Sequence, residues 1–183
     1  MSLLPITLYG DKILRKKTGK VTEIDNETIE LIRDMFATMR NANGIGLAAN
    51  QVGVDKQIFI IDISRVEGFE EAKPMTIINP RIIGRSEKNN KMEEGCLSIP
   101  DIRVDIERPE EITITFQDVD LNEHTITSDD VFARVMQHEY DHLQGILFID
   151  YLTEDQKKEF KKDLDNIKNR NMEVDYPVTD PVR

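Results

Sequence analysis

Gln137-His138-Glu139-Tyr140-Asp141-His142 lies in the run Asp129 to Leu143, which reads as a helix, with Ser128 placed to cap its start and Gly145 just past its end. Two histidines four residues apart share one helical face, so both imidazoles reach one ion. Glu139 stands beside the first of them and can take a proton from water at such a site. The chain has only three histidines, His124, His138 and His142, and two of them have this spacing. The plainer reading, two unrelated surface histidines with a glutamate between, needs that spacing to be a coincidence. His124 sits in the polar stretch Asn122-Glu123-His124, which reads as a surface turn.

The motif alone suggests a zinc protease, but the rest of that pattern is missing. Gly145 is present, yet the position of a third histidine holds Phe148. No clear glutamate ligand follows on a later helix, where Glu159 comes early and Lys161, Lys162 and Asp163 stand instead. The one soft ligand left is Cys96, in Glu94-Gly95-Cys96-Leu97-Ser98. A thiolate and two imidazoles give three protein ligands and leave a fourth position for water, the layout of a catalytic site. Taken alone, Cys96 reads equally as a small buried hydrophobe. As the single cysteine it cannot form an intramolecular disulfide.

Upstream, Gly44-Ile45-Gly46-Leu47-Ala48-Ala49-Asn50-Gln51 is rich in small residues that allow close backbone approach. Gln51 offers an amide donor suited to a developing oxyanion. A turn packed on the core would explain this stretch as well. Around the motifs, Asn26 to Asn41 reads as a helix, with Ile29, Ile32, Met35, Phe36 and Met39 at spacings of three and four and Asp25 or Asn26 as its cap. Asp11 to Lys17 reads as a short helix. Gln57 to Asp62, Met75 to Asn79 (closed by Pro80) and Glu111 to Gln117 read as strands. Arg65 to Pro74 reads as a loop. A last helix is predicted from Thr153, where Thr153 and Gln156 fit a capping box, to about Asn169. Strands and helices without regular alternation predict an α+β fold. Residues 1–170 read as one catalytic domain, and residues 171–183, with Pro177 and Pro181, as a frayed, flexible tail.

Composition agrees with a globular protein: 39% hydrophobic and 32% charged. No apolar run reaches the length of a membrane helix, and the first residues lack a basic region followed by a long apolar stretch, so a cytoplasmic protein is expected. The formal charge of −11 argues against broad DNA or RNA binding.

Taken together and in this order, Gly44 to Gln51, Glu94 to Ser98 and Gln137 to His142 resemble the signature of the peptide deformylases. The resemblance covers most of the chain, and the C-terminal helix is similar to that of the bacterial class ending in a helix. It implies antiparallel β-sheets around a central metal-binding helix, with further helices near both ends. It implies Fe2+, replaceable by Ni2+, Co2+ or Zn2+, on Cys96, His138 and His142, with Glu139 moving protons. It further implies oxyanion stabilisation by the Gln51 side chain and the Leu97 backbone N–H. By position, Ile45 and Gly46 would line the substrate cleft, Glu94, Val131, Arg134 and Val135 would border a methionine pocket, and Arg103 would lie near the bound peptide. The activity implied is removal of the formyl group from N-formylmethionyl nascent peptides. Such a substrate predicts a ribosome contact, for which Lys157, Lys158, Lys161 and Lys162 on the last helix form a basic stripe. The competing readings are a metal-dependent peptidase and a metal-binding module without turnover; the latter has no use for Glu139.

Overall fold

The computed structural model describes residues 2–181. Its helices are α1 (Asn26–Asn41), α2 (Asp130–Leu143), α3 (Glu154–Glu159) and α4 (Lys161–Lys168). Its strands are β1 (Gly46–Ala48), β2 (Ile58–Ile61), β3 (Met75–Arg85), β4 (Asn89–Cys96), β5 (Ile99–Pro109), β6 (Ile112–Gln117) and β7 (Glu123–Ser128). Every strand pairing is antiparallel, in a five-stranded sheet ordered β1-β2-β3-β6-β7 and a two-stranded sheet β4-β5.

β2 explains the layering. Its four apolar residues are all buried because both faces of the sheet are covered. Ile58 and Ile60 pack with Ile32, Met35 and Met39 of α1. Phe59 and Ile61 pack with Ala133, Val135, Met136 and Leu143 of α2. The long β4-β5 hairpin closes over a third core, in which Ile99, Ile102 and Ile106 meet Phe148, Leu164 and Ile167. α2 is therefore central, buried from Ala133 to Glu139 and again from Asp141 to Leu143. Among the described residues no helix is long and apolar enough to cross a membrane.

Several boundaries differ from those read in the sequence. β3 does not stop at Pro80 but runs on to Arg85, because the missing proline N–H falls where the ladder with β6 is already broken, between Ile78 and Arg81. The cap of α2 is Asp129, not Ser128, and it is Asp130 that accepts from the Phe132 N–H at 2.8 Å. His124 lies on β7, paired with Asp118, rather than in a turn. The last helix is two, broken at Phe160, with the Thr153–Gln156 capping box at the start of the first. The residues after Arg170 return to the body. Ile6 donates to the Pro177 carbonyl and accepts from the Thr179 N–H at 2.8 and 3.0 Å, and Arg170 and Thr179 both bind Asp11.

Candidate active site

α2 presents His138 and His142 on one face, as a spacing of four requires. The hairpin brings Cys96 to them through a defect in its own ladder. Glu94 pairs with Val104 and Gly95 with Arg103, then the register slips so that Cys96 pairs with Ile99. That irregularity lifts Cys96 out of the regular pleat. Its Sγ lies 3.2 Å from Nε2 of His142, which lies 3.3 Å from Nε2 of His138. The three ligand atoms are mutually within 4.8 Å.

A divalent ion fits these residues. Bonds of about 2.0–2.3 Å at tetrahedral angles set neighbouring nitrogen and sulfur ligands about 3.3–3.6 Å apart, close to the spacings found. The three lone-pair donors face one another and repel unless a cation or proton lies between them. The orientation is fixed from behind, since Nδ1 of His138 is 2.9 Å from Glu94 Oε2, leaving Nε2 turned to the site.

Glu94 belongs to a buried ionic network that reading the sequence missed. Arg108 grips its carboxylate with two bonds of 2.6 and 3.0 Å, and Arg134 adds a third at 3.0 Å. Arg108 also reaches Asp141 at 2.6 Å, and the Tyr151 hydroxyl donates to Asp141 at 2.8 Å. Burial alone would raise the Glu94 carboxyl, but His138 and Arg108 outweigh it and hold the group well below the usual carboxylate range. Asp141 is inside the motif itself, so its position two residues from Glu139 was a signal. Arg108, on a charged strand, gave none.

Glu139 is shifted in the opposite sense. Burial pushes its carboxyl up to about 7, and its Oε2 has no hydrogen-bond partner among the described residues. β1 passes so close that a Cβ on Gly46 would sit 2.5 Å from Glu139 Oε1, which explains why glycine is needed there. Gln51 is held by its Oε1, which accepts from Ala48 N–H at 2.8 Å, so its Nε2 faces Ser98 Oγ at 3.1 Å and Cys96 Sγ at 3.4 Å. Asn50 ties this turn to α2 through the His142 carbonyl at 2.6 Å.

These groups open on a cleft of about 570 Å³. Ile45, Gly46, Gln51, Glu94, Cys96, Leu97, Arg103, Arg134, Val135, His138 and Glu139 all line it. Val131 does not. It stands one turn before Val135, where it packs on the apolar cluster under the sheet. Arg103 is at the rim, exposed and 3.6 Å from Glu93. Glu173 to Tyr176 also line the cleft, which the sequence reading did not anticipate.

Three ligand atoms beside a cleft, with a buried acid whose free oxygen accompanies them, define a metal-dependent hydrolase. The particular kind follows from likeness to known proteins. The family model described as polypeptide deformylase matches residues 3–158. The peptide deformylase of Chlorobium phaeobacteroides (strain BS1) is 44% identical over 176 residues, covering 96% of this chain and 95% of its own. A crystal structure of a peptide deformylase from Legionella pneumophila superposes with a TM-score of 0.84 at 34% identity, covering 93% of this chain and 98% of the other. A Synechococcus elongatus deformylase solved in complex with actinonin gives 0.81 at 38% identity, covering 87% and 86%. This chain belongs to the peptide deformylase family. It is a metal-dependent hydrolase that removes the N-formyl group of nascent peptides.

Proposed function

We propose that Cys96, His138 and His142 hold Fe2+, with Ni2+, Co2+ or Zn2+ able to replace it, and that the site releases formate from formyl-methionine at the start of new chains in the cytoplasm. The observation that carries this reading is the meeting of one thiolate and two imidazoles beside an unpartnered buried carboxylate. When bound, the ion supplies a Lewis acid and lowers the pKa of nearby water.

The chain's residues do the rest. Gln51 Nε2 and the Leu97 N–H bind the oxygen of the formyl group as it becomes an anion, a contribution of about 3 kcal/mol for one good donor. Glu139 Oε2 takes the proton of the attacking water and returns it to the amine nitrogen as the carbon–nitrogen bond breaks. Its raised pKa suits both tasks. Ile45, Val135 and the aliphatic part of Arg134 border the methionine side chain, and Arg103 meets the peptide beyond it. β1 is the edge of its sheet, so the peptide backbone can add along it as a further strand. Glu94 serves the pocket by keeping His138 and Arg134 in place, since its oxygens are already taken.

Protein loaded with Fe2+ without oxygen should deformylate a formyl-methionyl tripeptide and leave its acetylated and free-amine counterparts untouched. Cleavage of an internal peptide bond instead would make it a peptidase. On exposure to air the iron form should lose activity faster than the nickel form, because ferrous iron and its thiolate both oxidise; equal lifetimes would count against iron. Actinonin, which the Synechococcus enzyme binds, should compete with the peptide for the cleft.

The basic stripe is proposed to dock on ribosomal RNA. Lys157 and Lys158 pair with Glu154 and Asp155, while Lys161 and Lys162 remain exposed on α4, whose Leu164 and Ile167 are buried. Sedimentation with ribosomes at low salt should be lost when all four lysines become glutamate, with turnover of a short peptide retained; co-sedimentation of that variant would place the docking surface elsewhere.

A further inference from the structure

Leu97 and Ser98 form the turn between β4 and β5, and both of their carbonyls are gripped from outside the hairpin. The Tyr176 hydroxyl donates to the Leu97 carbonyl at 2.8 Å, and the Tyr9 N–H donates to the Ser98 carbonyl at 2.8 Å. The Ser98 hydroxyl also accepts from Gln51 Nε2 at 3.1 Å. Turns are ordinarily the mobile part of a hairpin, and this one is held on three sides. The Cys96–Leu97 peptide, which carries the Leu97 N–H, lies between the ladder pair Cys96–Ile99 and the gripped Leu97 carbonyl. A planar peptide fixed at both neighbours has little freedom to rotate.

The grips come from the two ends of the chain, which hold each other. Ile6 donates to the Pro177 carbonyl at 2.8 Å and accepts from the Thr179 N–H at 3.0 Å. Asp11 fastens the same junction, accepting from Arg170 at 2.8 and 2.9 Å, from the Thr179 hydroxyl at 2.8 Å and from the Leu8 N–H at 3.2 Å. The N-terminal segment also reaches the other oxyanion donor. Thr7 gives its N–H to the Gln51 carbonyl at 2.8 Å and its hydroxyl to the Asn50 carbonyl at 2.9 Å. One clamp therefore holds both Gln51 and Leu97 from behind. Packing of the C-terminal segment on the core uses Met172, Val178 and the ring of Tyr176. The Tyr176 hydroxyl adds nothing to that packing, but it is the group that touches Leu97.

Resting on the deformylase reading, with the Leu97 N–H as an oxyanion donor, we propose that Tyr176 is a positioning residue for the reaction. Through the Leu97 carbonyl it holds the neighbouring N–H in the orientation that the developing anion needs. A donor set in advance stabilises the transition state without having to be ordered during the reaction.

The test compares the metal-loaded parent with Tyr176→Phe and Tyr176→Leu on a formyl-methionyl tripeptide, measuring kcat, KM, metal content and melting temperature. Tyr176→Phe keeps the ring and loses only the hydroxyl. Its kcat should fall about three- to tenfold, the order of one neutral hydrogen bond. Its KM, metal content and melting temperature should stay at parent values, the pattern of an interaction that matters in the transition state and not in substrate binding. Tyr176→Leu should lose at least as much kcat and some melting temperature besides. Parent kcat in Tyr176→Phe, with a loss only in Tyr176→Leu, would overturn the inference and leave the residue a packing element. A loss in Tyr176→Phe that follows metal content or KM would overturn it equally. A metal-loaded parent that releases no formate would instead overturn the deformylase reading, and this inference with it.

Discussion

Glu139→Gln is expected to bind metal like the parent and to lose about 10²–10⁴-fold in turnover, since the amide keeps the shape but cannot accept the proton. Metal content together with kcat decides it: a fully loaded variant with near-parent kcat would remove Glu139 from the chemistry. Glu94→Gln acts one step further from the ion. It leaves Arg108 and Arg134 facing a neutral group in a buried site and weakens the hold on His138. Metal affinity is expected to fall about 10–100-fold, the usual effect of losing a group that orients a ligand. A competition titration against a chelator measures it, and unchanged affinity would mean that α2 alone fixes the histidine. At this scale the sequence was most informative. His138, His142, Glu139 and Cys96 were legible because each carries chemistry at a fixed spacing or is the only residue of its type. Arg108 and Tyr151 were not, because their roles depend on partners distant in sequence.

Among the elements, α1 was read to the residue, since its apolar stripe and its Asp25 cap agree. β4 and β5 were missed altogether. They form a long hairpin with one exposed side, so Lys91, Glu93, Arg103, Asp105 and Glu107 along it hide the buried Ile102 and Ile106. The strand β1 was invisible for another reason, being three residues long. Yet β1 is where a small change should matter most. Gly46→Ala places a methyl group against the Glu139 carboxylate. It is expected to cost about 1–3 kcal/mol of stability by overpacking and to lower kcat more than it raises KM, because it displaces the acid rather than the peptide. Urea unfolding and steady-state kinetics on the same preparation test this; parent values in both would mean that β1 can withdraw from α2 freely.

For the whole molecule, an ion on Cys96, His138 and His142 would add a further tie between the hairpin and α2, which the Glu94–Arg108–Arg134–Asp141 network already joins. Cys96 comes from the hairpin over one core, and the histidines come from the helix beneath the other sheet. Metal binding should therefore stabilise the fold as a unit. At free metal of about 100–1,000 times Kd the gain is about 3–4 kcal/mol, read as a fall in melting temperature on chelation that metal restores. An unchanged melting temperature would mean that the unfolded chain binds the ion as well as the native one. The α+β class was predicted correctly, but the division into three cores was not, because one of them depends on the missed hairpin. The network of Glu94, Arg108, Arg134 and Asp141 crosses the same junction and has a consequence for how this protein can vary. Each side chain neutralises or saturates another, so a lone replacement strands a charge in the interior. A saturation library of one-at-a-time changes would score all four sites as intolerant. Lineages could still exchange the set for an apolar one, but only through several changes made together, so the junction is locked by the difficulty of the intermediate steps rather than by the merit of its present residues.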